Sequence, residues 1–261
     1  MNISDTNIIL GIKGLTKRFG GLVAVNSLYA DIEAGKISAL IGPNGSGKTT
    51  VLNLITGVYT ADEGSIEFLG EQIQTLRPHL ICWRGIARTF QNIRILKHQT
   101  VLENALLGLG FGNGGAGVIQ TVFHTPGYKK ETASNIEKVT EILDFVGMAD
   151  LRNELARNLP YGKQKILEIA RALVTSPKLL LLDEPAAGLN SQEIRGLIGL
   201  IRKINEQGIS ILLIEHRMEM VGELANWVFV LDHGSKITEG PYAAIKENPD
   251  VIQAYLGRRK V

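Results

Sequence analysis

Residues 42–49 combine the residue types and the spacing of a loop that binds phosphate groups. They are Gly-Pro-Asn-Gly-Ser-Gly-Lys-Thr. Glycines let consecutive backbone N–H groups face the phosphates, a lysine such as Lys48 neutralises charge on the outer phosphates, and a hydroxyl such as that of Thr49 binds Mg²⁺. These residues therefore predict a site for a nucleoside triphosphate.

The segments on either side of this loop predict the context that such a site needs. Residues 36–41 are largely apolar and predict a buried strand, whereas residues 48–55 predict a helix that Gly57 ends. A strand, a glycine-rich turn and a helix in this order bring the phosphates to a helix N-terminus, where partial positive charge accumulates. This context argues against the alternative that residues 42–49 form an ordinary glycine-rich turn and match the phosphate-loop pattern by chance.

Two adjacent acidic residues, Asp183 and Glu184, follow the apolar segment 179–182. Phosphate chemistry needs one carboxylate to hold Mg²⁺ and another to orient and polarise the attacking water. Adjacent acids also occur in ordinary loops, but in a chain with a phosphate loop their place after a buried strand favours catalysis. We expect Asp183 to bind the metal and Glu184 to act on the water.

Three further side chains have both a catalytic and an ordinary interpretation. His216, just past the predicted strand 209–214, either donates to the γ-phosphate or lies on the surface without a role. Gln91, at the entrance to a helical region, is either a sensor of the nucleotide or a polar cap. Phe19 either stacks on adenine or belongs to the core.

A glycine also lies at the start of the predicted helix that ends at Val174. Residues 159–164 are Leu-Pro-Tyr-Gly-Lys-Gln, so Gly162 precedes a helix N-terminus that is able to bind an anion. Taken alone, this pattern is more typical of an ordinary helix start.

The composition restricts the class of protein. The 261 residues are 44% apolar, enough for a sizeable core, and 28 basic against 26 acidic residues leave a net charge of +2. This balance gives no reason to expect nucleic acid as a partner. Cys82 is the only cysteine, and residues 1–5 lack the pattern of an export signal, so we expect a cytoplasmic protein.

Alternating strand and helix signals predict an α/β fold with a parallel sheet covered on both faces. Between about residues 95 and 159 helical periodicity replaces the strand signals, which predicts an inserted helical lobe. We predict a single domain over residues 1–261, with a nucleotide-binding lobe formed by 1–94 and 166–261. The helical lobe comprises residues 95–165.

The stretch from Asn104 to Tyr128 has no Lys, Arg, Asp or Glu and is long enough to cross a bilayer. Its six glycines between residues 108 and 117 argue against a membrane-spanning helix, because each costs about 1 kcal/mol relative to alanine. We predict a mobile, partly apolar insertion.

The order of these elements resembles that of the ATP-binding cassette (ABC) ATPases over essentially the whole chain. Within that superfamily the chain is most similar to the ATPase subunit of branched-chain amino-acid importers. The closer similarity rests on these segments: residues 18–22 (Arg-Phe-Gly-Gly-Leu), 88–91 (Arg-Thr-Phe-Gln), 167–173, 183–190, 213–216 and the tail 248–257.

The resemblance implies a fold and a set of site residues. The fold would be a P-loop NTPase (RecA-like) parallel sheet core with an N-terminal antiparallel β subdomain and an inserted α-helical subdomain. Phe19 would stack on adenine, Glu184 would be the general base and His216 the switch. Mg²⁺ would contact Thr49, Gln91 and Asp183. The phosphates of ATP would be bound by Gly42, Pro43, Asn44, Gly45, Ser46, Gly47, Lys48, Thr49 and Thr50.

The resemblance also implies partners. Two cassettes would close head to tail around two ATP molecules, each lending Pro160, Tyr161, Gly162 and Lys163 to the nucleotide of the other. The helical lobe would pass this motion to integral membrane permeases on the inner face of the cell membrane, supplied by a solute-binding protein. Alternatives are another ABC system, such as a urea, amide, lipid or lipopolysaccharide transporter, a soluble ABC ATPase, and a scaffold without activity.

The sequence departs from the superfamily pattern at two places. The usual Leu-Ser-Gly-Gly-Gln is Leu-Pro-Tyr-Gly-Lys at residues 159–163, which removes a serine hydroxyl, and Pro160 has no backbone N–H to replace it. Asn190 stands where an aspartate is usual. Both changes fall in the part expected to meet a second cassette.

Overall fold

The computed structural model describes residues 7–111 and 126–256, in which ten strands form two sheets. The strands are β1 (Ile8–Phe19), β2 (Leu22–Glu33), β3 (Ile37–Ile41), β4 (Glu63–Phe68), β5 (Glu71–Gln72), β6 (Ile86–Arg88), β7 (Leu179–Asp183), β8 (Ser210–Ile214), β9 (Trp227–Asp232) and β10 (Ser235–Gly240).

Nine α-helices connect and cover these strands in the same two ranges. They are α1 (Lys48–Ile55), α2 (Pro78–Trp83), α3 (Val101–Leu106), α4 (Pro126–Phe145), α5 (Tyr161–Val174), α6 (Ser191–Glu206), α7 (Met218–Leu224), α8 (Tyr242–Ile245) and α9 (Pro249–Leu256). The two elements that flank the predicted phosphate loop, β3 and α1, therefore form where the sequence predicts them.

The larger sheet carries the predicted chemistry. Its order is β10-β9-β3-β8-β7-β6, and every neighbouring pair is parallel except β10 with β9. The smaller sheet, in the order β2-β1-β4-β5, is entirely antiparallel. The fold is thus a P-loop NTPase core with an N-terminal antiparallel subdomain, as predicted.

Strand β7 shows why the larger sheet has apolar runs rather than alternating residues. Successive side chains of a strand point to opposite faces. Leu180 and Leu182 pack into one hydrophobic cluster with α5 and α6, whereas Leu179 and Leu181 pack into a second cluster with α1 and the antiparallel sheet. Both faces of β7 are buried, so leucine is favourable at four consecutive positions.

The helical region packs on the sheet through α5. Helices α3 and α4 contact α5, and Val101, Val139 and Leu167 belong to one buried cluster. Because α5 runs from Tyr161 to Val174 without a break, the predicted lobe boundary at residue 165 falls inside a helix. The division into two lobes stays a prediction.

The uncharged stretch from Asn104 to Tyr128 is described only in part. Residues 104–106 end α3, and a short 3₁₀ helix, Leu107–Phe111, follows. Most of the predicted mobile insertion lies outside the described residues. Among the helices that the structure describes, none is long and apolar enough to span a bilayer.

Helix α6 is capped at its N-terminus by Asn190, which stands at one of the two places where the sequence departs from the superfamily pattern. The Asn190 side chain accepts hydrogen bonds from the backbone N–H groups of Gln192 (2.9 Å) and Glu193 (3.0 Å). The Glu193 carboxylate in turn accepts from the Asn190 N–H at 2.9 Å, which completes a capping box.

Loss of this cap should weaken the fold measurably. We expect Asn190→Ala to lower the free energy of unfolding by about 1 kcal/mol, because it leaves N-terminal N–H groups of α6 unsatisfied. Asn190→Asp, which keeps the acceptor, should retain the stability of the original chain. Urea denaturation followed by circular dichroism measures both; equal destabilisation by the two variants would contradict the capping role.

Candidate active site

The loop between β3 and α1 has the backbone geometry that only glycine supports. Gly42, Gly45 and Gly47 have φ angles of 150°, 78° and 104°. A Cβ atom on Gly47 would lie 2.5 Å from the carbonyl oxygen of Ala24, a clash with backbone that cannot move aside. The loop therefore wraps closely around the space at the N-terminus of α1.

Lys48 is buried beneath this loop with its charge satisfied. Its Nζ atom donates to the carbonyl oxygens of Gly42 at 2.8 Å and Pro43 at 2.9 Å. These bonds fix the ammonium group against the loop backbone, and a fixed charge next to inward-facing N–H groups is suited to phosphate.

The loop borders an open cleft of about 960 Å³ that gathers most of the predicted site residues. Those that line it are Phe19, Gly42, Pro43, Asn44, Gly45, Gly47, Lys48, Thr49, Thr50, Gln91, Glu184 and His216. Ser46 and Asp183 do not line the cleft, since Ser46 is fully buried and Asp183 has 3% of its surface exposed. One cleft thus contains predicted site residues from five separate parts of the chain.

Glu184 is the point where the polar side chains meet. Gln91 donates through Nε2 to Oε2 of Glu184 at 2.9 Å, and Nδ1 of His216 lies 3.8 Å from the same oxygen. Gln91 is therefore a partner of Glu184 and not the polar cap of a helix. The side chains of Gln91 and His216 thus flank the Glu184 carboxylate at the edge of the cleft.

The backbone of Glu184 adopts a conformation that is unfavourable for a non-glycine residue. Its φ angle is 47°, which costs an L-amino acid about 1–2 kcal/mol, and its N–H is held by the carbonyl oxygen of Ile214 at 3.0 Å. Such strain is often found at functional sites, where surrounding contacts impose it. Here the bond to Ile214 holds Glu184 next to the end of β8.

Asp183 forms a buried ion pair that sequence reasoning missed. Nη2 of Arg88 donates to Oδ2 of Asp183 at 2.8 Å, and both side chains are at most 6% exposed. Nη1 of Arg88 also donates to Asn53 at 2.7 Å, on α1. Arg88 thereby joins β6, β7 and the helix that follows the phosphate loop.

A second missed residue, Glu215, ties two catalytic loops together. It is fully buried, and its Oε1 accepts from the N–H of Ala186 at 3.0 Å. Its Oε2 accepts from the N–H of His216 at 3.1 Å. An acid directly between an apolar strand and His216 was visible in the sequence and is the signal that could have identified it.

Helix α5 holds the segment around Gln91 through two buried charged residues. Lys165 donates through Nζ to the Gln91 carbonyl oxygen at 2.8 Å, and Glu168 accepts from the N–H of Arg94 at 3.2 Å. Burial lowers the pKa of Lys165, against the opposing effect of nearby carboxylates, and burial raises the pKa of Glu168. Charged residues on the buried face of this helix were the available sequence signal.

The predicted segment Pro160–Lys163 does not reach the cleft of its own chain. It forms the N-terminus of α5, where Tyr161 is about half exposed and Lys163 donates to the Gly147 carbonyl oxygen at 3.2 Å. A Cβ atom on Gly162 would approach Oε1 of Glu193 to 2.5 Å, so a larger residue here would have to displace the Glu193 side chain of the neighbouring capping box. These residues stay outside the site within one chain.

Phe19 lies at the mouth of the cleft rather than in the core. It is 42% exposed, packs edge-to-face against Tyr59 with ring centroids 5.2 Å apart, and has the ammonium group of Lys17 5.6 Å from its ring centre. The core alternative is therefore wrong, and stacking on adenine stays a prediction.

Comparison with known proteins agrees with this arrangement. The profile of the ABC transporter family matches residues 25–187, and that of the branched-chain amino acid ATP-binding cassette transporters matches residues 235–261. The chain is 42% identical over 250 residues to the branched-chain amino acid transport ATP-binding protein BraF of Pseudomonas aeruginosa, covering 95% of this chain and 98% of that one.

Other relatives extend the similarity. The probable branched-chain amino acid transport ATP-binding protein LivG of Archaeoglobus fulgidus is 40% identical over 252 residues, 95% of either chain. A crystal structure of an ATP-binding cassette of an ABC transporter in its ADP conformation superposes with a TM-score of 0.85 at 33% identity. That match covers 96% of this chain and 99% of the other.

The fold, the phosphate loop and the carboxylate at the cleft define an ATP-binding cassette ATPase. The chain belongs to the ABC transporter family, among its branched-chain amino acid ATP-binding cassettes. It therefore binds and hydrolyses ATP.

The ion pair of Arg88 with Asp183 should be essential for stability. We expect Arg88→Gln to lower the free energy of unfolding by about 3–5 kcal/mol, because it leaves a buried carboxylate without its counter-charge. Arg84→Gln is the matched control: Arg84 pairs with Glu71 at 3.1 Å on the surface and should contribute less than about 1 kcal/mol. Chemical denaturation compares them, and equal small effects would contradict the structural role of Arg88.

Proposed function

We propose that this protein is the ATP-hydrolysing subunit of an importer for branched-chain or related amino acids. One observation supports this more than any other: Glu184 lies beside the phosphate loop with Gln91 and His216 at the same carboxylate oxygen. The match of its C-terminal residues 235–261 to the branched-chain cassettes supports the choice of solute.

In this proposal Glu184 acts as the general base. Its carboxylate accepts a proton from a water molecule as the water oxygen bonds to the γ-phosphorus and the bond to the ADP oxygen breaks, which gives ADP and phosphate. Gln91 orients the carboxylate through its Nε2 donor. His216, half exposed beside it, donates to the γ-phosphate and links the presence of that phosphate to the conformation of its loop.

Mg²⁺ fits the donor atoms at this site. Thr49, Gln91 and Asp183 offer a hydroxyl, an amide oxygen and a carboxylate, and Mg²⁺ in phosphate sites typically takes one or two carboxylates with phosphates and waters. Asp183 is the acid on the strand end, fixed by Arg88 through Oδ2. When bound, the ion would neutralise charge on the phosphate oxygens.

The site is completed by a second cassette in this proposal. Pro160, Tyr161, Gly162 and Lys163 lie outside the cleft of their own chain, at the N-terminus of a 14-residue helix where Pro160 and Tyr161 are exposed and Gly162 is buried. Partial positive charge at that N-terminus and the ammonium group of Lys163 suit an anion such as the γ-phosphate of a nucleotide on a second copy. The missing serine hydroxyl weakens this contact without removing it.

The proposed partners are integral membrane permeases, and the proposed place of action is the cytoplasmic face of the membrane. Closure and separation of two cassettes would move the helical region against the permeases. A solute-binding protein would select the amino acid on the other side. The small net charge of +2 gives no support for a nucleic-acid partner.

Replacement of the proposed base separates binding from hydrolysis. Glu184→Gln should bind ATP with unchanged or higher affinity, hydrolyse it at least about 100-fold more slowly, and accumulate as a dimer, since the amide cannot take a proton. Phosphate release and analytical ultracentrifugation measure these properties. Glu206→Gln, exposed at the far end of α6, is the control and should behave as the original chain. A monomeric, fully active Glu184→Gln variant would refute the mechanism.

The transport assignment has a separate test. Affinity capture of the chain from solubilised membranes should recover integral permease subunits, and cells that contain it should take up labelled leucine faster than cells that carry only Glu184→Gln. Recovery of ribosomes without permeases, or equal uptake by both strains, would contradict the proposed role.

A further inference from the structure

Tyr255, on the C-terminal helix α9, lines the nucleotide cleft. No sequence motif assigns it there, because α9 follows the last strand of the sheet and is separated along the chain from the other residues that line the cleft. Its presence brings the C-terminal segment, which the structure describes over residues 235–256, to the edge of the ATP site.

Helix α9 reaches this position by packing on the strands that lead into the site. Val251 and Tyr255 belong to a hydrophobic cluster that includes Ile41 of β3 and Val230 of β9. Ile41 directly precedes Gly42, the first residue of the phosphate loop. The C-terminal helix is therefore packed against the end of β3, where that loop begins.

Gly42 is tightly enclosed at this point. A Cβ atom on Gly42 would lie 2.1 Å from the Leu231 carbonyl oxygen and 2.7 Å from Oγ of Ser46. The backbone of Gly42 also faces the Tyr255 hydroxyl. Any shift of Gly42 must therefore be accommodated by Leu231, Ser46 and Tyr255, which surround it. Of these three residues, Tyr255 belongs to the C-terminal helix.

The Tyr255 hydroxyl is buried, and the backbone of Gly42 is close enough to lower its pKa against the larger effect of burial. Among the described residues its oxygen has no hydrogen-bond partner of normal geometry, and neither has Oγ of Ser46 on the other side of Gly42. Burial raises the pKa of Tyr255 to about 12, so the hydroxyl keeps its proton at neutral pH. A buried hydroxyl without a hydrogen bond destabilises the fold, and phenylalanine at this position would avoid that cost. The tyrosine hydroxyl therefore points to a use in another state of the loop.

We propose that Tyr255 is a positioning residue for the phosphate loop, whose hydroxyl forms a hydrogen bond with the loop when nucleotide is bound. The bond would favour the arrangement of Gly42 and its neighbours that holds the phosphates. The C-terminal segment thereby contributes to the affinity for ATP without touching it. This inference rests on ATP binding at the cleft.

The test compares two tyrosines of the same hydrophobic cluster. Tyr255→Phe removes only the hydroxyl at the loop, whereas Tyr242→Phe removes a hydroxyl from a ring in the same cluster that does not line the cleft. Calorimetric titration with Mg²⁺ and ATP gives the dissociation constant, thermal unfolding without nucleotide gives the stability, and steady-state kinetics give KM and kcat.

We expect Tyr255→Phe to bind ATP about three- to tenfold more weakly, as for the loss of one hydrogen bond. KM should rise by the same factor while kcat stays within about twofold, and the unfolding temperature without nucleotide should be unchanged or higher. Tyr242→Phe should keep the dissociation constant of the original chain. A residue with only a packing role would not combine weaker ATP binding with undiminished stability.

Three outcomes would overturn the inference. Tyr255→Phe could bind ATP as tightly as the original chain, Tyr242→Phe could weaken binding equally, or Tyr255→Phe could fail to fold although its hydroxyl has no bond to lose. Failure of the original chain to bind ATP would instead overturn the assignment of the cleft itself, so the two failures are distinguishable.

Discussion

The site depends on the register of three adjacent parallel strands. Strands β3, β8 and β7 lie side by side, and hydrogen bonding pairs Leu40 with Ile214 and Ile214 with Asp183. The three strands consequently end at one level, and the phosphate loop, His216 and Glu184 all emerge from the same edge of the sheet. A shift of one residue in this register would turn the side chains at each strand end to the opposite face of the sheet. The register therefore brings motifs that are distant in the sequence together in one site.

Buried charged groups hold the loops that leave this edge. Arg88 neutralises Asp183, Glu215 binds two backbone N–H groups of neighbouring loops, and Lys165 holds the backbone of Gln91. A buried charge is costly unless it is paired, so each of these residues restricts its loop to the conformations that satisfy it. The strained backbone of Glu184 is kept in place by the same surroundings. Nucleotide chemistry and fold stability are therefore linked at this edge.

Short patterns in the sequence predicted those features of the fold that depend on a few neighbouring residues. The glycine-rich loop, the bounds of α1 and the apolar strand β7 follow from backbone geometry and burial over a few residues. The partners of Arg88 and Lys165 could not be predicted, since they are 95 and 74 positions away along the chain and only folding brings them together. The same is true of Tyr255, whose place depends on how α9 packs. The prediction that Gly162 completes the site of a second cassette, identical or different, concerns another chain and stays a prediction.

The most direct test of this account is a crystal structure with Mg²⁺ and a non-hydrolysable ATP analogue. The account predicts β- and γ-phosphates against the backbone of residues 45–49, Glu184 and His216 of the same chain at the γ-phosphate, and the segment around Gly162, or its counterpart in a different cassette, opposite them. A nucleotide bound away from the ends of β3, β7 and β8, or a γ-phosphate without Glu184 nearby, would contradict it.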